Sequence, residues 1–129
     1  MPDITMQATL TVNKSSSMLR GVGACDITQA TSTKRNNSAI QTVPATGTSA
    51  VALAIGSVSP LGYLFVKNLG AGTVSLGLTA TGGPPTVVGQ VFATLRAGEC
   101  CLLPAANATM YAQVTTGSAG DIMVVAAEP

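Results

Sequence analysis

Residues 61–78, LGYLFVKNLGAGTVSLGL, decide the fold. Tyr63 to Leu69 read as an extended segment with two unlike sides. Leu64 and Val66 share one side, while Tyr63, Phe65, Lys67 and Leu69 share the other. Gly70-Ala71-Gly72 supplies hairpin-turn chemistry, and TVSLGL (73–78) is the return strand. Upstream, Pro60 and Gly62 mark a turn, because proline cannot donate to a central ladder and glycine tolerates unusual dihedrals.

The same pattern extends outward. ITMQATLTV (4–12) alternates without a fault, with Ile4, Met6, Leu10 and Val12 on one side and threonines and Gln7 on the other. A weaker strand is expected over 18–28, broken by Gly21 and Gly23. The polar segment 29–38 reads as a loop. Short extended segments follow at 39–43 and 51–55. Further strands are expected at 86–95, with a bulge at Gly89, and at 100–104, 109–114 and 122–127, with 79–85 as a loop. No segment has the 3.6-residue period of a helix, and turn signals recur every eight to twelve residues. The fold class predicted is all-β: an antiparallel β-sandwich of jelly-roll type with an extended N-terminal strand or arm. The expected division is an arm over 1–20, swapped or partner-bound, and one β-sandwich domain over 21–129.

Composition limits the energetics. The 129 residues allow a single modest core, and only 3% are aromatic: Tyr63, Phe65, Phe92 and Tyr111. Charged residues make up 9% and the net charge is +1, so there is no field to steer nucleic acid or an anionic membrane and little repulsion between copies. An aliphatic core diluted by alanine gives a marginal isolated fold, and burial between subunits would add to it. The four aromatics are therefore read as core or subunit packing rather than as a ligand wall.

Chemistry is scarce. There is no histidine, which removes the commonest general base and metal ligand. Asp26 with Glu99 is the one carboxylate pair considered, and a turn accounts better for Glu99. Cys25, Cys100 and Cys101 do not make a disulfide framework or a zinc site and read as small reduced hydrophobes. No enzyme activity, cofactor or metal is expected. The start of the chain lacks the basic region and apolar core of a secretory leader, so synthesis in a cytoplasm is expected.

Two blocks carry a resemblance. GYLFVKNL (62–69), followed by LRAGE (95–99) with the apolar CCLLP and a late MYAQV, resembles a group of small virion proteins of tailed bacteriophages. In these a Gly-Tyr-Leu-Phe-x-x-Asn-Leu block precedes Leu-x-x-Gly-Glu and an apolar run. The likeness covers about residues 50–127 and contains no catalytic position. It implies a β-rich virion component, either a capsid decoration (cement) protein or part of a head or tail fibre; the reading favoured is a decoration protein on the outside of the virion, assembled in the host cytoplasm. Such a protein would self-associate, with a homotrimer favoured, and bridge major capsid protein subunits. Partner contact is expected from Ile4, Met6, Leu10, Val12, Met18 and Leu19 in the N-terminal segment and from Lys34 and Arg35 in the 29–38 loop. The rival reading is a head- or tail-fibre module that recognises a host surface glycan through an exposed aromatic such as Tyr111.

Overall fold

A computed structural model of the chain describes residues 4–10, 23–29, 36–105 and 109–128. It divides into two compact units, residues 1–34 and 35–129. The boundary expected at 20/21 lies outside the described residues. In the first unit, β1 (Ile4–Leu10) pairs antiparallel with β2 (Gly23–Gln29), from Ile4 opposite Gln29 to Leu10 opposite Gly23. The alternating N-terminal segment is therefore one half of a two-stranded ladder.

The second unit is a β-sandwich of two four-stranded antiparallel sheets. The first sheet contains β3 (Asn36–Val43), β10 (Gly120–Ala127), β5 (Tyr63–Asn68) and β8 (Cys100–Pro104), in that order. The second contains β4 (Val51–Ala52), β9 (Tyr111–Thr116), β6 (Thr73–Thr81) and β7 (Val87–Leu95). The pairings nest: β3 with β10, β4 with β9, β5 with β8 and β6 with β7. A long two-stranded ribbon is thus rolled up, and β10·β5 and β6·β9 seal its turns.

The two strands expected from residues 61–78 are present, but they do not pair as the expected hairpin: β5 pairs with β10 and β8 and β6 with β7 and β9, so the turn at 69–72 crosses between the two sheets. Several boundaries differ from the sequence reading: the strands expected at 109–114 and 122–127 run over Tyr111–Thr116 and Gly120–Ala127, and three others change more. β3 begins at Asn36, inside the segment expected to be loop. β6 runs on to Thr81, because its threonines pair with Val87 and Gly89 across the hairpin. The segment at 51–55 keeps only two ladder residues. The bulge also moves. Gly89 is in register opposite Thr79, while Leu76 faces Ala93 and Gly77 faces Val91, which leaves Phe92 as the extra residue. Gly77 permits this close approach, since a Cβ there would collide with the Gly89 carbonyl oxygen and the Val88 side chain.

The core between the sheets is aliphatic. Leu64, Val66, Ile122 and Val124 of the first sheet meet Val74, Leu76, Ala112 and Val114 of the second, all buried. No aromatic side chain belongs to this cluster. The period-two alternation of β5 turns Leu64 and Val66 inward, and that puts Tyr63 and Phe65 on the opposite side.

Candidate interaction surface

The first sheet presents an unusual outer face. Register places Ser38, Val125, Phe65 and Leu102 in one row across its four strands, and Ile40, Met123, Lys67 and Cys100 in the next. Ile40 is 66% exposed, Cys100 is exposed, and Val125, Phe65, Leu102 and Met123 are half-buried. An antiparallel sheet with a wet face alternates apolar with polar residues. β10, as Ile122-Met123-Val124-Val125-Ala126-Ala127, and β8, as Cys100-Cys101-Leu102-Leu103, are apolar at every one of these positions. Such runs belong to strands covered on both sides. The second sheet is mixed on its outer face: Thr94, Ser75 and Gln113 form a polar row, and Val91, Gly77, Tyr111 and Ala52 form the row beside it.

The two edges of the sandwich are also unlike. On the β3/β4 side, amide side chains bridge the sheets. Gln41 Nε2 donates to the Ala52 carbonyl oxygen (2.6 Å), and Gln41 Oε1 accepts from Ala54 N (2.9 Å). Asn37 Nδ2 donates to the Ala54 carbonyl oxygen (2.9 Å). On the β7/β8 side an open groove of about 450 Å³ is lined by Leu78, Phe92, Ala93, Cys101, Leu102 and Leu103. The bulge holds Phe92 at this mouth, 38% exposed. Burial, its largest perturbation, and the neighbouring Cys100 push the Cys101 thiol up to about 11, against a lowering hydrogen bond with the Val66 backbone. Cys101 is therefore a neutral thiol, and both Cys100 and Cys101 are free.

The expected contact residues fall in several places. Tyr63 and Phe65 share the outer side of β5 and are half-buried. Tyr111, also half-buried, lies on β9 opposite Ala52, on the second sheet. Phe92 is at the groove, so the four aromatics do not form one site. Ile4, Met6 and Leu10 lie on β1, whereas Val12, Met18, Leu19, Lys34 and Arg35 lie outside the described residues. The sequence reading passed over Leu102, Met123, Val125 and Ile40. The missed signal was the loss of alternation in β8 and β10.

Among the described residues, no group of three or more His, Cys, Asp or Glu side chains is placed to hold a metal ion, and no helix is long and apolar enough to cross a membrane. No family model, curated protein or solved structure matches the chain.

Proposed function

We propose that this chain is a virion structural protein, a capsid decoration protein of tailed-phage type that self-associates as a trimer and docks on the major capsid protein. One observation carries the reading: the outer face of the β3-β10-β5-β8 sheet carries apolar side chains on all four strands, from Ile40 through Met123, Val125 and Phe65 to Leu102, with Ser38 and Lys67 the polar residues of these two rows. Contiguous exposed apolar surface of this kind marks a protein contact. The nested strand pairing supports reading the sandwich as a jelly roll, an architecture used by viral capsid domains among others. Repetition on a shell also suits a chain with 9% charged residues, since many weak, salt-tolerant contacts add up. Subunit packing is then the role of Tyr63 and Phe65.

The β1–β2 ladder suits attachment to the shell, because an antiparallel pair has a free edge for a partner strand. The test is co-sedimentation with DNA-free shells of the virion that contains this chain. Saturable binding by the full chain, lost on deleting residues 1–13, is the expected result. Absence of binding by the full chain overturns the decoration role, and undiminished binding after the deletion overturns the role of the N-terminal strand.

A further inference from the structure

Each sheet of the sandwich ends in two edge strands, and the four edges are not alike. An edge offers a row of free main-chain N–H and C=O groups to any extended strand, and soluble proteins blunt it with shortness, proline, a bulge or charge. Three of the four are blunted. β4 has two residues, and β8 has five and ends in Pro104. β7 carries the Phe92 bulge and holds Gln90 in the left-handed region, at a φ of 48°. β3 is different. Its eight residues include no charge and no proline, and they pair with β10 from Asn36 to Val43 without a shift of register. Among the described residues no strand pairs along its other side.

Hydrogen-bond alternation shows which groups are free. Leu69 N donates to the Asp121 carbonyl oxygen, so the odd-numbered residues of β10 turn their main chain to β5 and the even-numbered ones to β3. Ile122, Val124 and Ala126 are therefore bonded to Gln41, Ala39 and Asn37. That leaves the N–H and C=O groups of Asn36, Ser38, Ile40 and Thr42 pointing outward. The amide side chains of β3 do not obstruct them, because Asn37 and Gln41 are turned to Ala52 and Ala54 in the other sheet. Ile40, 66% exposed, stands in the middle of the row.

The row is complementary to itself. With two copies antiparallel about a two-fold axis through Ala39, Ser38 faces Ile40 of the second copy and Asn36 faces Thr42 of the second copy, and the reverse. All four outward N–H groups of each copy then meet an outward C=O. Moving the axis to Ile40 sets Asn36 against Pro44, which has no N–H to return. The axis residue lies in a non-hydrogen-bonded pair, where Cα atoms come closest, at about 4.5 Å. Alanine is the smallest residue of the inward row Asn37, Ala39, Gln41 and Val43. The two Ile40 side chains become diagonal neighbours on one face, within reach of each other. A second copy is thus an occupant that matches this edge in length, register and lack of charge. Its bonds come from the main chain, so the contact does not depend on a wide face.

We propose that two copies of this chain pair through the β3 edge, antiparallel about an axis at Ala39, and join their β3-β10-β5-β8 sheets into one of eight strands. This goes beyond the trimer proposed above, since the edge is a separate surface and the outer face of the sheet stays free.

The test is disulfide trapping in the full chain. Ala39→Cys puts a thiol at the axis, beside the same thiol of the second copy and within the span that a disulfide bridges. Under mild oxidation a covalent dimer joined at position 39 is expected, identified by mass spectrometry of the linked peptides. The exposed Cys100 reports random collision and is expected to cross-link about tenfold more slowly. Adding Ile40→Pro is expected to slow trapping at position 39 by about tenfold. The fold tolerates proline there, because the Ile40 N–H points away from β10. Circular dichroism checks this, and if the variant fails to fold, Ile40→Lys places a charge on the edge instead. No dimer at position 39, trapping no faster than at Cys100, or trapping that survives the Ile40 substitution would each overturn the β3 pair. Light scattering on the unsubstituted chain keeps the two readings apart. A trimer without trapping at position 39 removes the β3 pair and keeps the trimer. Trapping in a chain that forms no trimer and ignores shells does the opposite.

Discussion

Asn68 Nδ2 donates a hydrogen bond to the carbonyl oxygen of Leu95, 3.0 Å away, in the interior of the sandwich. This bond joins the end of β5 in one sheet to the end of β7 in the other. The same amide nitrogen donates to the Gly72 carbonyl oxygen (2.7 Å), and Asn68 Oδ1 accepts from Gly70 N (2.9 Å). The Asn68 backbone adds a donation to the Glu99 carbonyl oxygen and an acceptance from Gly98 N, both at 2.9 Å. One fully buried side chain therefore holds the 69–72 crossing turn and the end of β7, while its backbone holds the 96–99 turn.

Asn68→Asp is expected to destabilise the sandwich by about 2–4 kcal/mol. The acceptor for Gly70 N remains, but both carbonyl oxygens lose their donor, and each unsatisfied buried group costs about 1–3 kcal/mol. Urea unfolding of the wild type and the variant measures it. An unchanged midpoint would show that water replaces the amide without loss.

Gly77→Ala is expected to cost about 1–3 kcal/mol through overpacking against the Gly89 carbonyl oxygen and Val88. The bulge that presents Phe92 should relax with it. Thermal unfolding measures the loss, and an unchanged midpoint would show that the bulge absorbs the methyl group.

Stability should fall as pH rises from about 9 to about 11, and part of that fall belongs to Cys101. Its thiol holds its proton more tightly in the folded chain, having moved up from the ordinary 9.0 to about 11. A raised folded value contributes stability that is complete below the unfolded value and disappears as pH passes through the folded one. Urea midpoints at about pH 8 and about pH 10.5 should therefore differ more for the wild type than for Cys101→Ala. Equal differences would mean that Cys101 ionises as easily in the fold as out of it.

Gln41→Ala is expected to cost about 1–2 kcal/mol, because its amide supplies one donor and one acceptor to the segment beside β4, each bond contributing about 0.5–1.5 kcal/mol. Only two residues of β4 are laddered, so amide exchange at Leu53 and Ala54 should accelerate before exchange in β9 does. Unchanged exchange there would assign the closure of this edge to Asn37.

The strands were legible in the sequence because their signals are local. Alternation in Ile4–Leu10 and Tyr63–Asn68, and the turn chemistry of Gly70-Ala71-Gly72 and Arg96-Ala97-Gly98-Glu99, need no knowledge of distant residues. The all-β class followed from them. Asn68 gave no such signal, because an asparagine beside a glycine turn is ordinary until two turns and the end of β7 close over it.

Which side of each strand faces inward was decided by the tertiary structure alone. β5 is largely apolar on both sides, so period two separates Tyr63 and Phe65 from Leu64 and Val66 without saying which pair is buried. The nested pairing of β3 with β10 and β4 with β9 settles it by bringing together residues about 60–90 positions apart. The sequence alone determined where the chain extends and where it turns. The apolar outer face, the amide-bridged edge and the open groove exist only once the ribbon is rolled, because burial depends on what lies opposite.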